Sequence, residues 1–393
     1  MRRPTLSRYR RLSAALAVLV AGGVGLTAPS PANAAVVAAL PPGCVVPSHV
    51  TGYATCVTIG ATTSALPRKP ATSVAALPDG CGDGSWAVQN RFAACQLTVG
   101  AVARIRISDG ALLGTIGYSL KSYTATRGAS GPTWNHSVEY RAETTQGFVA
   151  GITIRATPLC QVACSVADPA PVTGSATGTV FGTREFSTAK PADNRWTAVS
   201  DWRIVFEDPQ ATNRVTAPMF TNYPGHRCDD ALPGAGPGCV MASFRPHLNP
   251  SLSNPNYFEH IKAAQARGMQ PYELHRTTSE ALRIANRAVS CPPSSPTYPR
   301  PTGYECDEYP FASTYEGAAD RVGEGFSLKI NSKLTVIDCR VSWLPTQDQT
   351  AHRGYSACMI PEGENSSGGG ELSAFYRTNR IIDGDAFTVR VKG

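Results

Sequence analysis

Twelve cysteines constrain the fold of this chain more than any other feature of its 393 residues. An even cysteine count behind an export signal is typical of a protein that folds with disulfides in an oxidising compartment. Neighbours in sequence suggest the pairs Cys160 with Cys164 and Cys228 with Cys239, although spacing alone does not fix the connectivity. A zinc site built from these four residues is the competing interpretation, but they lack the paired C-x-x-C knuckle of such sites. The disulfide candidates are Cys44, Cys56, Cys81, Cys95, Cys160, Cys164, Cys228, Cys239, Cys291, Cys306, Cys339 and Cys358.

Residues 1–34 have the pattern of a secretory signal peptide. An arginine-rich stretch precedes an apolar run from Ala14 to Leu26, and the small residues at 32–34 provide a cleavage site. The apolar run is too short and wrongly flanked for a stable membrane span. We therefore expect cleavage after Ala34 and a mature protein that is secreted, extracellular and free of the membrane.

Overall charge does not point to a partner. The chain has 36 basic and 29 acidic residues, but five of the arginines lie in the signal peptide, which leaves 31 basic against 29 acidic. A near-neutral mature chain offers no general argument for nucleic-acid binding, so function has to be inferred from local motifs.

Composition divides the mature chain into two domains and two connecting segments. Residues 35–80 are rich in Ala, Pro and Thr and predict an irregular lead-in with a loop closed by Cys44 and Cys56. In residues 81–225, runs such as "CQLTVGAVARIRIS" and "RWTAVSDWRIVFE" alternate apolar with polar residues, which predicts an all-β, antiparallel, sandwich-like domain. The stretch "YPGHRCDDALPGAGPGC" and the residues after it predict a Gly/Pro-rich linker over 226–250.

Residues 251–393 change to a mixed pattern that predicts an α+β domain. Helical periodicity occurs in "NPNYFEHIKAAQARG", "TTSEALRIANRAV" and "GELSAFYRTNRI", and strand-like runs occur in "GFSLKIN", "KLTVIDCRVSW" and "AFTVRVKG". Asn254-Pro255 can open the first helix and Gly268 can close it. The fold class is therefore multidomain, with a β domain followed by an α+β domain.

The segment "YECDEYPFASTYEG", residues 304–317, gathers acidic residues around a cysteine and an aromatic-proline pair. A solvated turn is the plain structural interpretation. However, a disulfide at Cys306 would pin the backbone, and Pro310 restricts the residue before it to extended geometry. Asp307 and Glu308 would then be held rigidly, as a general base or the site of a hard divalent cation requires.

Four segments of the C-terminal domain resemble the NucA/NucB deoxyribonuclease family. They are, in order, "YFEHIKAAQARG", "HRTTSEALRIANR", "GYECDEYPFASTYEG" and "ENSSGGGELSAFYRTNRIIDGDAF". Residues 35–250 share nothing with this family. The resemblance implies a secreted hydrolase that cuts DNA phosphodiester bonds with little sequence preference, using one divalent metal in an active site like that of the ββα-metal nucleases.

The resemblance also implies roles for individual residues. Asp307 takes the place of the usual histidine as general base, with Glu308 as its acidic companion and Glu316 as a further catalytic candidate. Asn365 is the implied metal ligand, and Glu371 is a second candidate. Amide and carboxylate oxygens suit Mg²⁺ or Mn²⁺ better than zinc.

Basic residues of the same domain are candidates for binding the DNA backbone. We select Arg276, Arg287 and Arg380, because a guanidinium grips phosphate bidentately, and His275 beside them. Each arginine could instead form a structural salt bridge. His260, on the first predicted helix, is expected to be packed or hydrogen-bonded rather than catalytic.

Two other functions compete with a secreted nuclease whose substrate is DNA. In the first, the β domain attaches to a cell wall or polysaccharide and the nuclease-like domain is a catalytically inactive scaffold. In the second, the protein is a secreted nuclease toxin and the β domain is its delivery module. In each case we expect a monomer.

Overall fold

The computed structural model describes residues 52–59, 80–128, 131–188, 195–213, 218–269, 273–331, 336–339, 341–345 and 354–392. The predicted signal peptide and Cys44 lie outside these ranges. Within them, none of the helices combines the length and the apolar character that crossing a membrane requires.

Strands dominate the described residues, with three α-helices in the C-terminal third. The strands are β1 Tyr53–Ile59, β2 Gly82–Asp83, β3 Ala87–Asn90, β4 Ala93–Arg106, β5 Leu112–Thr126, β6 Thr133–Gly147, β7 Thr153–Val162, β8 Ser165–Val166, β9 Val172–Ser175, β10 Thr179–Ser187, β11 Trp196–Glu207, β12 Met219–Phe220, β13 His226–Asp229, β14 Gly238–Val240, β15 His247–Leu248, β16 Glu273–His275, β17 Tyr304–Tyr309, β18 Gly325–Ser327, β19 Lys329–Asn331, β20 Val336–Asp338, β21 Tyr355–Pro361 and β22 Ala386–Val389. The helices are α1 Pro255–Ala266, α2 Glu280–Ser290 and α3 Glu362–Thr378, with a short 3-10 helix at Ala318–Asp320.

The N-terminal region consists of two mainly antiparallel sheets, as its alternating sequence predicts. The main path of the first runs β1-β4-β5-β6-β10-β8 and that of the second runs β14-β13-β11-β7-β9. Apolar side chains from both sheets form one core, which includes Val102, Tyr118, Tyr140, Trp202 and Phe206. Because alternate residues of each strand face this core, the period-2 pattern of the sequence was sufficient to predict it.

Two segments predicted to be irregular belong to these sheets. Tyr53–Ile59, within the predicted lead-in, forms β1 and pairs along its whole length with β4. In the predicted linker, β13 pairs with β11 and β14 pairs with β13. The Gly/Pro-rich residues between β13 and β14 therefore form a hairpin loop, not an interdomain tether.

The C-terminal domain combines the three helices with short strands, as predicted. β17 lies antiparallel to β21, with Asp307 opposite Cys358, and β18 pairs with the other edge of β21. α3 follows β21 directly and starts at Glu362, so it extends eight residues before Gly370, where the helix predicted from sequence begins, and includes Gly368 and Gly369. Two antiparallel strands and the helix after them thus present the residues of the "YECDEY" and "ENSSGGG" motifs to one another.

Five disulfides occur within the described residues. They join Cys81 to Cys95, Cys160 to Cys164, Cys228 to Cys239, Cys291 to Cys306 and Cys339 to Cys358. The two pairs suggested by spacing are confirmed, and the zinc interpretation is wrong because its four sulfurs are used in these bonds. The last two bridges form a self-contained set in the C-terminal domain.

A buried network of charges joins the β domain to the C-terminal domain. Arg91, from the turn before β4, donates to Asp385 at 2.5 Å, and Arg227 of β13 donates to the same carboxylate. Arg380, fully buried after α3, donates through Nε to Asp229 at 3.0 Å. Arg380 is therefore an interdomain structural residue. Its complete burial contradicts the prediction that it binds DNA phosphate.

Candidate active site

A cleft of about 680 Å³ opens in the C-terminal domain beside β17. Acidic residues of β17 line one part of it, arginines on α2 and in the flanking segments line another, and residues of α1 and α3 complete the wall. Pro233, from the loop between β13 and β14, also lines the cleft. Most of the lining belongs to segments that the sequence singles out, and one residue comes from the β domain.

The acidic strand, defined as Glu305, Asp307 and Glu308 of β17, supplies every carboxylate among the described residues that line the cleft. Ladder pairing with β21 fixes this strand, and the Cys291–Cys306 disulfide ties it to the end of α2. The rigidity expected of the motif is therefore provided by a sheet on one side and a covalent bond on the other.

Asp307 is buried and held by a histidine. His260 Nδ1 lies 2.5 Å from Asp307 Oδ2, and His260 Nε2 lies 2.9 Å from Ser356 Oγ. Because an ionised carboxylate only accepts, Nδ1 carries the proton in this bond. His260 is thus buried and hydrogen-bonded, as expected, and it fixes the orientation of the Asp307 carboxylate.

The hydrogen bonds between Ser356 and His260 and between His260 and Asp307 have the connectivity of a serine hydrolase triad. Ser356 and His260 are both fully buried, however, and neither lines the cleft. A substrate carbonyl or phosphorus atom cannot reach the Ser356 hydroxyl, so this arrangement supports Asp307 and does not provide a nucleophile.

Glu308, the next residue of β17, has a raised pKa. Burial, followed by the charge of Asp307, raises its pKa from 4.5 to about 7, while Arg287, Arg300 and a hydrogen bond from the Ala312 N–H oppose the rise. Two adjacent carboxyls with different environments are the usual arrangement for separate acid and base roles. Glu308 is therefore poised to exchange a proton near neutral pH.

Asn365 lies in the first turns of α3 and faces the acidic strand. Its Nδ2 donates to Glu305 Oε2 at 2.8 Å, so the amide oxygen is not used in this bond. No group of three or more His, Cys, Asp or Glu side chains within the described residues is arranged as a metal cage. A cation such as Mg²⁺ usually keeps several waters and needs only one or two protein oxygens, so a single amide oxygen fits that chemistry.

Four arginines, Arg276, Arg283, Arg287 and Arg300, line the cleft and are named here the arginine rim. The Arg276 guanidinium stacks 4.6 Å from the ring centre of Tyr376 and donates to the carbonyl of Ile381. These contacts hold a positive charge at the cleft wall. The structure thus keeps two of the predicted phosphate-binding residues, Arg276 and Arg287, in a common site.

The structure places three other predicted site residues outside the cleft. Glu316 accepts from the backbone N–H of His275 at 2.8 Å and from its Nδ1 at 2.7 Å, so the carboxylate and the imidazole are bonded to each other. Glu371 accepts from the Ser251 N–H and from Asn254 Nδ2, which fixes the chain entering α1. The roles predicted for Glu316 and His275 in catalysis and DNA binding, and for Glu371 in metal binding, are not supported by these positions.

Sequence reasoning missed Glu305, Arg283 and Arg300 as members of the site. Arg283 and Arg287 are four residues apart on α2 and therefore share a face, a signal that the sequence did contain. Glu305 lies in the acidic motif two residues before Asp307 and therefore shares its face of β17, a second signal that the sequence contained. Arg300 carried no local signal, because its relation to the cleft depends on the path of the loop after α2.

Comparison with known families finds a match in this region. The model of the family described as Deoxyribonuclease NucA/NucB matches residues 260–336, which confirms the resemblance of the C-terminal region. The match includes the acidic strand and the arginine rim and ends before Asn365. No curated protein and no solved structure matches the chain. The match suggests that the C-terminal region is a deoxyribonuclease domain, from a family that acts on DNA.

Proposed function

We propose that this chain is a secreted, metal-dependent endonuclease that hydrolyses DNA phosphodiester bonds with little sequence preference. The proposal rests on one observation: the acidic strand, Asn365 and the arginine rim all line the same cleft. A phosphodiester resists attack by water because the nucleophile approaches an anion, so catalysis requires positive charge beside a proton acceptor. The cleft provides the proton acceptor and part of the positive charge from its own side chains.

The arginine rim binds the DNA backbone in this proposal. Guanidinium groups contact phosphate through paired N–H donors, and such contacts position DNA without reading its sequence. Arg276 is preorganised by Tyr376, while the exposed Arg287 on α2 can adjust to the duplex. Little sequence preference is the expected result of recognition through phosphates.

Asp307 accepts the proton of the attacking water. One of its oxygens is bound to His260, which fixes the carboxylate plane and leaves the second oxygen for the proton. The water oxygen forms the new bond to phosphorus, and the bond from phosphorus to the leaving sugar oxygen breaks. Glu308, with its pKa near 7, donates the proton that the leaving oxygen requires, so the two carboxyls complete one hydrolysis between them.

Asn365 holds the divalent cation, Mg²⁺ or Mn²⁺, in this proposal. Its amide nitrogen is engaged by Glu305, which orients the amide so that a hard oxygen donor remains. When bound, such a cation supplies Lewis-acid polarisation of the phosphate and lowers the pKa of a bound water. Glu305 is the positioning residue for Asn365, whereas Glu371, the second metal-ligand candidate of the sequence, lies outside the cleft and has no part in this proposal.

The role of Asn365 predicts a change in cation binding. Asn365→Ala should raise the Mn²⁺ concentration needed for half-maximal binding by about 10- to 100-fold, since the proposed protein ligand is lost. Isothermal titration of the protein with Mn²⁺ measures this directly, and activity at high Mn²⁺ should be partly rescued. Ser366→Ala changes the next, exposed residue of α3 and should leave the titration unaltered. Equal Mn²⁺ affinity in the Asn365→Ala and Ser366→Ala proteins would remove Asn365 from the site.

The proton-donor role of Glu308 predicts a pH dependence. The protonated form decreases above pH 7, so kcat/KM for DNA cleavage should fall about tenfold per pH unit on the alkaline side of that value. Glu308→Gln keeps the hydrogen bond from Ala312 but cannot titrate, so its lower activity should lack this alkaline limb. Glu316→Gln, changed outside the cleft, should retain the limb. An alkaline limb that persists unchanged in Glu308→Gln would assign it to another group.

A further inference from the structure

One face of α3 runs along the cleft from the candidate metal ligand to the arginine rim. Asn365, Gly369, Leu372, Ser373 and Tyr376 line the cleft, and their spacing places them on one side of the helix. At about 1.5 Å per residue, Asn365 and Tyr376 are about 16 Å apart along the helix axis. A strand of duplex DNA advances only about 3.4 Å per nucleotide. The cleft is therefore longer than the single phosphodiester that the acidic strand and Asn365 would hold.

Two members of the arginine rim lie beside the acidic strand and are named the proximal pair. Arg300 donates to the carbonyl of Cys291 at 3.4 Å, and Cys291 forms the disulfide with Cys306 of β17. Arg287 lies in the last turn of α2, and its carbonyl accepts from the Cys291 N–H. The positive charges of both arginines act on Glu308. The proximal pair is therefore placed to contact the scissile phosphate.

The other two members, Arg276 and Arg283, lie beside Tyr376 and are named the distal pair. The Arg276 guanidinium stacks 4.6 Å from the ring centre of Tyr376. Burial raises the pKa of Tyr376, whereas the charges of both arginines lower it. Burial lowers the pKa of Arg276, and the charge of Arg283 lowers it further, against the opposing effects of Tyr376 and of Asp383 and Asp385. The distal pair is thus a second concentration of positive charge at the far end of the cleft.

The distal pair is accessible and has donors to spare. The Arg283 side chain is 35% exposed and donates to Glu280, an exposed residue of the same helix, at 2.8 Å. Such a surface pair is weak and can open for a ligand. Arg276 is half-buried and donates to the carbonyl of Ile381. Because a guanidinium has five N–H donors, both arginines can still bind an anion.

We propose that the distal pair binds a second phosphate of the strand being cut, away from the scissile bond. This inference rests on the proposed function and adds to it a subsite that makes a polynucleotide, not a dinucleotide, the preferred substrate. Arg283 precedes Arg287 by about 6 Å along α2, and the face of α3 that lines the cleft is about 16 Å long. These lengths correspond to about two to five nucleotides of a stacked strand.

The salt dependence of DNA binding tests the distal pair without cleavage. Arg283→Gln removes one phosphate contact and breaks only the surface pair with Glu280, so the melting temperature should be unchanged. In chelator, DNA affinity measured by fluorescence anisotropy should fall about 3- to 10-fold, and the slope of log affinity against log salt should become shallower by about one. Arg276→Gln should give the same slope. Arg377→Gln is the matched control, because this exposed arginine of α3 does not line the cleft, and its slope should equal that of the wild-type protein.

A labelled duplex with one uncharged methylphosphonate linkage locates the subsite. Partial digestion with Mn²⁺ by the wild-type protein should give a ladder with two gaps. The first lies at the methylphosphonate, and the second, about 5- to 10-fold weaker than neighbouring bands, lies about two to five nucleotides to one side. In Arg283→Gln the first gap should persist and the second should disappear.

Two results would overturn the inference: a wild-type ladder without the second gap, or a second gap of equal depth in the wild-type, Arg283→Gln and Arg276→Gln proteins. A salt slope in both variants equal to that of Arg377→Gln would also overturn it. In each case a ladder from unmodified DNA would leave the proposed function intact. If no ladder forms at all, the proposed function is contradicted, and the salt slope still decides whether the distal pair binds phosphate.

Discussion

Asp307→Asn is expected to lower kcat for DNA cleavage by about 10²- to 10⁴-fold, the usual effect of losing a general base. The substitution preserves shape, and the asparagine oxygen can still accept from His260 Nδ1. DNA affinity, measured by fluorescence anisotropy in Ca²⁺, should therefore remain near the wild-type value. A single-turnover assay on a labelled duplex isolates the chemical step.

Glu316→Gln is the matched control for Asp307→Asn. Both changes neutralise a carboxylate bound to a histidine, but Glu316 pairs with His275 outside the cleft. We expect Glu316→Gln to retain most of the activity. Near-normal cleavage by a folded Asp307→Asn protein would contradict the mechanism, and Glu308 would then be the carboxylate to test as base.

Asp229→Asn is expected to destabilise the whole protein by about 3–5 kcal/mol, the typical cost of leaving a buried charge without its partner. The fully buried Arg380 lies in an ion pair with Asp229 at 2.9 Å, with both side chains shielded from solvent. Asp230→Asn changes the adjacent, partly exposed residue and should have an effect below about 0.5 kcal/mol. Urea unfolding followed by fluorescence compares the two variants. Equal midpoints would show that the buried pair contributes nothing.

The same network bears on the separability of the domains. From the sequence, a fragment of residues 251–393 is expected to fold and cut DNA alone, because all four resembling segments lie within it. The structure indicates otherwise, since this fragment would lack the partners of Arg380 and Asp385. Residue Asp385 also accepts the backbone N–H of Arg276 through its carbonyl, at 3.0 Å, so the interface continues to the arginine rim. We now expect the isolated fragment to be strongly destabilised, and normal activity in it would argue against this coupling.

The parts of the fold that follow local rules were predictable from sequence. Alternation predicts the long strands of the β domain, and α1 begins at Pro255 and ends before Gly268, as the capping residues require. The short disulfide loops, such as Cys160–Cys164, also follow from spacing. In each case the determining residues are neighbours in the chain.

Site residues were predictable from sequence only where they lie in a motif that resembles the nuclease family. Asp307, Glu308 and Asn365 lie within the resembling segments and line the cleft. Arg380 and Glu371 lie in the same segments, yet their partners, Asp229 and Asn254, are 151 and 117 residues away in the chain. No periodicity reports a contact over such separations, so a charged residue in a binding motif cannot be distinguished by sequence from one that packs against another domain.

Metal-dependent DNA cleavage is tested most directly by following the conversion of supercoiled plasmid to nicked and linear forms by the purified, oxidised full-length protein. The reaction should proceed with Mg²⁺ or Mn²⁺, stop when a chelator is added, and be nearly absent with the Asp307→Asn protein prepared in the same way. If the folded protein nicks no DNA with any divalent cation, or if cleavage continues undiminished in excess chelator, a metal-dependent deoxyribonuclease is contradicted. Absence of all cleavage would favour the catalytically inactive binding protein instead.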